Sequence, residues 1–129
     1  MKNTSLLKAW ISAARIRTLP LSVSGILIGS SYAYFSEKFT FSVFFIAILT
    51  TISYQLLSNF ANDYGDGVKG TDDNRIGPKR TVQSGLISRV LMKKGMVILS
   101  LTSSFLTLAL IILAFGLNSF YILIFAALG

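Results

Sequence analysis

Three residues near the middle of the chain have the types and spacing to hold a hard metal ion. Asn62, Asp63 and Asp66 present amide and carboxylate oxygens from successive turns of a helix. With Gln55 and Asn59 they follow the i, i+4, i+7, i+8, i+11 spacing of a single helix face. Leu56, Leu57, Phe60, Ala61 and Tyr64 cover most of the remainder. This polar stripe closes a membrane-length apolar run, where lipid disfavours each carboxylate by roughly 3 kcal/mol. Such a face is expected to turn toward a protein interior, a cavity or a ligand. Cysteine and histidine are both absent, which excludes thiolate nucleophiles, iron–sulfur clusters, His-ligated zinc and a histidine base. An ion bound here is held by oxygen, and Mg²⁺ is the leading candidate.

Basic residues follow at once. Lys69, Arg75, Lys79 and Arg80 lie among Gly and Pro, where Arg can make forked contacts with phosphate oxygens. Carboxylates for a metal beside basic residues are the combination that holds a diphosphate. A blander reading stands beside it: Asp63, Asp66, Asp72 and Asp73 pair with the loop's cations in water, for little stability. It applies most readily to Asp72 and Asp73. Tyr64 reads as an interfacial aromatic. Gln55 and Asn59, deeper in the span, read either as substrate contacts or as glue between helices. Asp63, Asp66 and Gly67 also match the opening of the D-x-x-D-G signature of CDP-alcohol phosphotransferases. Gly70 and Thr71 stand where that signature requires Ala-Arg, and its later Gly and Asp positions are missing, so that family is set aside.

The elements that must position these groups are membrane helices. The chain has 129 residues, 53% of them hydrophobic. Only 13% are charged, against about 25% in a soluble domain. The predicted class is an all-α, multi-span transmembrane bundle forming a single unit over 1–129. Residues 1–17 make a basic, weakly amphipathic lead-in with Trp10 at the membrane boundary. Spans are expected over 18–36, 39–64 and 88–117, with a truncated fourth over 119–129 and a loop over 65–87 that carries the site. Pro20 suits a first turn, Gly25 and Gly29 form a GxxxG pair expected to pack closely, and Ser88 is the expected N-cap. Gly65, Gly67 and Gly70 are expected to end the second helix.

Orientation follows from the charges. Met1–Arg17 carries four positive and no negative residues, and Asn62–Lys94 carries seven positive and four negative. The positive-inside rule places both, and the N-terminus with them, in the cytoplasm. The net charge of +7 does not point to nucleic acid, because the basic residues flank apolar runs.

The run SNFANDYGDGVKGTDDNRIGPKR, followed by QSG, resembles the first aspartate-rich motif of the UbiA-type intramembrane prenyltransferases. It is most similar to the subgroup that prenylates 1,4-dihydroxy-2-naphthoate in menaquinone biosynthesis. ARIRTLP, Ala14–Pro20, resembles that subgroup's R-P-K-T-L-P run, with Ile16 in place of the usual Pro. Many relatives read N-x-x-x-D-x-x-x-D; here the last position is Gly70 and the next acid is Asp72, a shift the naphthoate subgroup shares. The resemblance implies that Asn62, Asp63, Asp66 and Asp72 hold Mg²⁺ against a polyprenyl diphosphate, with Asn62, Asp63 and Asp66 central to catalysis. It implies that Lys69, Arg75, Lys79 and Arg80 bind the diphosphate, and that Arg15, Arg17 and Asn59 face the aromatic acceptor. It also implies a multi-pass protein of the bacterial inner membrane. The family's second aspartate-rich motif is missing, so the chain is expected to be an N-terminal half, inactive by itself. Two rival expectations remain: a prenyltransferase for another aromatic such as 4-hydroxybenzoate, and a membrane scaffold or transport subunit.

Overall fold

The computed structural model describes residues 2–69, 81–117, 120–122 and 124, with side chains from Ser5 onward. Four α-helices account for most of them: α1 (Lys2–Ala14), α2 (Leu19–Phe35), α3 (Phe41–Lys69) and α4 (Arg89–Phe115). Among the described residues there is no strand. Among the described residues three stretches are long and apolar enough to cross a membrane: Ser5–Phe35, Phe41–Lys69 and Arg89–Phe115.

The expected spans over 18–36 and 88–117 agree with α2 and α4 to within two residues at each end. Pro20 lies in the first turn of α2, where no intrahelical N–H is required of it. Ser88 is extended, and its side chain accepts a hydrogen bond from the Leu91 amide at 3.2 Å, as an N-cap does. α2 ends in a Schellman arrangement with Glu37 left-handed at φ 58°. The Lys38 amide reaches the Ala33 carbonyl at 2.8 Å, and the Glu37 amide reaches that of Tyr34 at 3.1 Å.

Two expectations need correction. α3 does not end near residue 64 but continues through Gly65 and Gly67 to Lys69. Tertiary contact outweighs the weak helix preference of glycine here: Val82 packs on Gly67, and the Arg89 guanidinium donates to the Gly67 carbonyl at 3.1 Å. The GxxxG pair does not bring helices together within the described structure. A Cβ at Gly25 or Gly29 would meet nothing within 4 Å. Both glycines line an open groove of about 430 Å³ between α2, α3 and α4, at the end of α3 remote from its polar stripe. Of the expected fourth span, Phe120–Ile122 and Ile124 are helical and the remainder lies outside the described residues.

α3 is the spine. α4 packs along it, α2 lies on its flank, and α1 docks near its C-terminal half. Burial concentrates at that end, around Ala9, Ala13, Phe60, Val82, Ile87 and Met92. Trp10 lies 5.1 Å from Phe60, ring centre to ring centre. Gly95 permits that approach, since a Cβ there would come 3.0 Å from the indole. Elsewhere large apolar side chains such as Leu21, Ile28, Leu101 and Phe105 point outward, as suits helices surrounded by lipid.

Hydroxyl pairs join the helices inside the span. Ser53 and Ser103, both buried, lie 2.8 Å apart, and Ser103 donates to the Leu99 carbonyl at 2.7 Å, which leaves Ser53 as donor to Ser103. Removing that pair by Ser103→Ala is expected to cost about 0.6 kcal/mol, and up to about 1.7, as other interhelical bonds in membranes do. Thermal unfolding in detergent micelles checks it; an unshifted midpoint would remove the pair from the account of stability.

Candidate functional site

The C-terminal third of α3 carries two rows of functional side chains rather than one. Asn59, Asp63 and Gly67, four residues apart, form a buried row. Asn62, Asp66 and Lys69 form a second row, rotated by roughly 90° at 100° per residue. In that row Asn62 and Lys69 are exposed and Asp66 is half-buried. Asp63 thus parts from Asn62 and Asp66, although all three share the broad polar arc of the sequence.

Asn59 is 4% exposed, and its amide secures the junction between α1 and α2. The chain breaks there because Arg15 is left-handed, at φ 49° and ψ 52°. The break leaves the last carbonyls of α1 without intrahelical partners. Asn59 donates to the Ala14 carbonyl at 2.8 Å, and Thr18 returns its amide and hydroxyl to the Arg15 carbonyl, each at 2.9 Å. Asn59 also accepts from Gln55 at 3.4 Å, whose Oε1 accepts from Ser22 at 2.6 Å. The glue reading of Gln55 and Asn59 describes this network. Through it the half-buried Arg15 and the exposed Arg17 are brought to the same end of α3 as Asn62 and Asp66.

Asp63 is 3% exposed and secures the returning chain. Its Oδ2 accepts from the Thr81 amide at 3.2 Å and from the Thr81 hydroxyl, and its Oδ1 accepts from the Val82 amide at 3.4 Å. One turn on, a Cβ at Gly67 would lie 2.7 Å from Val82 Cγ1. Only glycine lets the turn lie this close to the helix. Sequence reasoning missed Thr81, Val82 and Arg89 as parts of this arrangement. Their partners lie 18 to 22 residues away, and nothing local in the sequence marks the pairing.

Asn62 and Asp66 share the second row, one turn apart. One carboxylate and one amide oxygen from successive turns are a donor set that Mg²⁺ accepts, with water and phosphate completing its shell. By donor chemistry the pair suits the ion. Among the described residues no cluster of three or more Asp, Glu, His or Cys converges on a point. Asp72, Arg75, Lys79 and Arg80 lie outside the described residues.

Known proteins share much of this sequence. It is 45% identical over 100 residues to the 1,4-dihydroxy-2-naphthoate octaprenyltransferase of Haemophilus influenzae, covering 75% of this chain and 32% of that protein. Against the like-named protein of Escherichia coli it is 41% identical over 98 residues, with the same two shares, 75% and 32%. Against that of Mycobacterium tuberculosis it is 38% identical over 77 residues, 60% of this chain and 26% of the relative. No family model and no solved structure matches the chain. The chain spans about a third of the length of the curated relatives it matches first. Over the matched stretch this chain of membrane-length helices is homologous to the UbiA-type prenyltransferases, the family its NDYGD and RIGP runs resemble.

Proposed function

We propose that the protein expressed from its complete gene transfers a polyprenyl group from polyprenyl diphosphate to 1,4-dihydroxy-2-naphthoate, releasing carbon dioxide and giving demethylmenaquinol. The observation that carries the reading is the Asn62–Asp66 pair, at the mouth of α3, in a chain 41–45% identical to relatives named for that transfer. The C–O bond to diphosphate breaks and both its electrons leave with the diphosphate. A C–C bond forms to the aromatic ring, whose carboxylate departs as carbon dioxide and leaves its bonding pair in the ring. No strong base is needed, in keeping with a sequence without histidine.

Asn62 and Asp66 would hold Mg²⁺, which when bound supplies positive charge to the diphosphate oxygens. Lys69, one turn beyond Asp66, adds charge on the same row. Arg75, Lys79 and Arg80 are assigned to the leaving group from sequence alone. Stabilising charge on the departing diphosphate lowers the barrier where it is highest. Arg15 and Arg17, next to the junction that Asn59 secures, are assigned to the carboxylate of the acceptor. The setting is the bacterial inner membrane, with the N-terminus and these residues on the cytoplasmic side.

The test is labelled polyprenyl diphosphate supplied to membranes containing the protein, with either 1,4-dihydroxy-2-naphthoate or 4-hydroxybenzoate. Labelled lipid product and carbon dioxide in equal amounts are expected with the naphthoate. Transfer to 4-hydroxybenzoate alone would overturn the acceptor, and no transfer to either would overturn the enzyme.

A further inference from the structure

We propose that Asp63 is a positioning residue and not a metal ligand: its carboxylate fastens the turn beginning at Thr81 to α3, while Asn62 and Asp66 project from it. The inference deepens the reading of the site given above and rests on it for the role of the metal.

The turn is internally closed. The Gly85 amide reaches the Val82 carbonyl at 3.1 Å, and the Thr81 carbonyl accepts from the Ile87 amide at 3.1 Å and the Ser84 hydroxyl at 3.3 Å. It docks on α3 at two successive levels, Asp63 and Gly67. At the first, both carboxylate oxygens are occupied by donors of the turn. At the second, Val82 lies against bare helix backbone, and Arg89, in the first turn of α4, reaches the Gly67 carbonyl. Drawing Asp63 to a metal would strip the buried amides of Thr81 and Val82 of their acceptor. Buried backbone donors are rarely left so. The geometry also distinguishes acid from amide. Asparagine at 63 has one oxygen for two directions of donors, and its NH₂ would face an N–H.

The same row accounts for a feature of the motif. Adjacent residues in Asn62–Asp63 stand about 100° apart on a helix, so one can serve the ligand only while its neighbour faces the protein. Asp66 repeats the direction of Asn62, and Gly67 repeats that of Asp63.

The experiment is a double-mutant cycle in the protein expressed from its complete gene, using Asp63→Asn and Thr81→Val, with Asp66→Asn as reference. Two quantities are read: hydrogen exchange at the Thr81 and Val82 amides, and the Mg²⁺ concentration that half-saturates binding, titrated with Mg²⁺ alone. Asp63→Asn is expected to speed exchange at those amides by about tenfold or more, the scale of one lost bond to a charged group, and to shift Mg²⁺ half-saturation less than about twofold. Asp66→Asn is expected to do the reverse. The double variant should exchange no faster than Asp63→Asn alone, because Thr81 and Asp63 act as one contact. Should Asp63→Asn fail to fold, Thr81→Val removes only the hydroxyl and is expected to give a smaller acceleration with Mg²⁺ binding intact. Overturning results are a rise in half-saturation with Asp63→Asn equal to that of Asp66→Asn, or, with Thr81→Val, weakened Mg²⁺ binding and unchanged exchange. The exchange arm needs no turnover, so an absence of prenyl transfer would overturn the enzyme reading and leave this one standing or falling by itself.

Discussion

Asp66→Ala is expected to abolish Mg²⁺-dependent prenyl transfer in the protein expressed from its complete gene, a loss of about 10³-fold or more in turnover, while insertion into the membrane continues. The magnitude follows from the role. Removing one preorganised electrostatic group commonly costs a factor of about 10²–10³, and losing a carboxylate proposed to hold the metal would remove the metal's contribution as well. Insertion is spared because Asp66 lies 25 residues along α3 from Phe41. At 1.5 Å per residue that is about 37 Å, past a hydrocarbon core of about 30 Å. Prenyl transfer measured across a Mg²⁺ series, with the amount of inserted protein determined in parallel, checks both halves. Near-normal turnover by inserted protein would end the metal assignment.

Gly65 and Gly67 yield the second large effect, as a pair of opposite sign. In a free helix either glycine costs roughly 1 kcal/mol relative to alanine. At Gly65 an added Cβ meets nothing within 4 Å, so Gly65→Ala is expected to stabilise by up to about that amount. At Gly67 the same Cβ falls 2.7 Å from Val82 Cγ1, 2.9 Å from Val82 Cβ and 3.3 Å from the Gln83 nitrogen. The last two are fixed to the turn's backbone and cannot step aside by rotation. Overpacking of this kind costs about 1–3 kcal/mol and outweighs the gain in propensity. Gly67→Ala is therefore expected to lower the unfolding midpoint in micelles while Gly65→Ala raises it. A rise with both would mean that the Thr81–Val82 turn does not lie against α3.

Local patterns in the sequence carried the framework. Uncharged runs located the membrane helices, Pro20 and Ser88 marked starts, and the oxygen-bearing face of α3 stood out at helical spacing. Legibility ended where long-range contact decides. The Arg15 break contains neither Gly nor Pro, since Ile16 occupies the place of the usual proline, and Asn59 stabilises it from 45 residues away. Gly65 and Gly67 resemble helix breakers by type, but only the returning turn decides that the helix continues. Asp63 and Asp66 are chemically alike and three residues apart. Which of them faces the turn depends on Thr81 and Val82, and no periodicity in α3 reveals that. The open groove at Gly25 and Gly29 teaches the same lesson, because a small-residue stripe specifies close approach without naming what approaches.

The length of α3 has a consequence for how the proposed reactants would meet. Asn62 sits about 32 Å along the helix axis from Phe41, near the level where hydrocarbon gives way to headgroups. A donor with a long isoprenoid tail can stay dissolved among acyl chains and raise only its ionic end to that level. The aromatic acid, being water-soluble, would arrive from the opposite phase. The helix would then serve as a plumb line: its length sets the depth at which an oil-borne and a water-borne molecule share one plane.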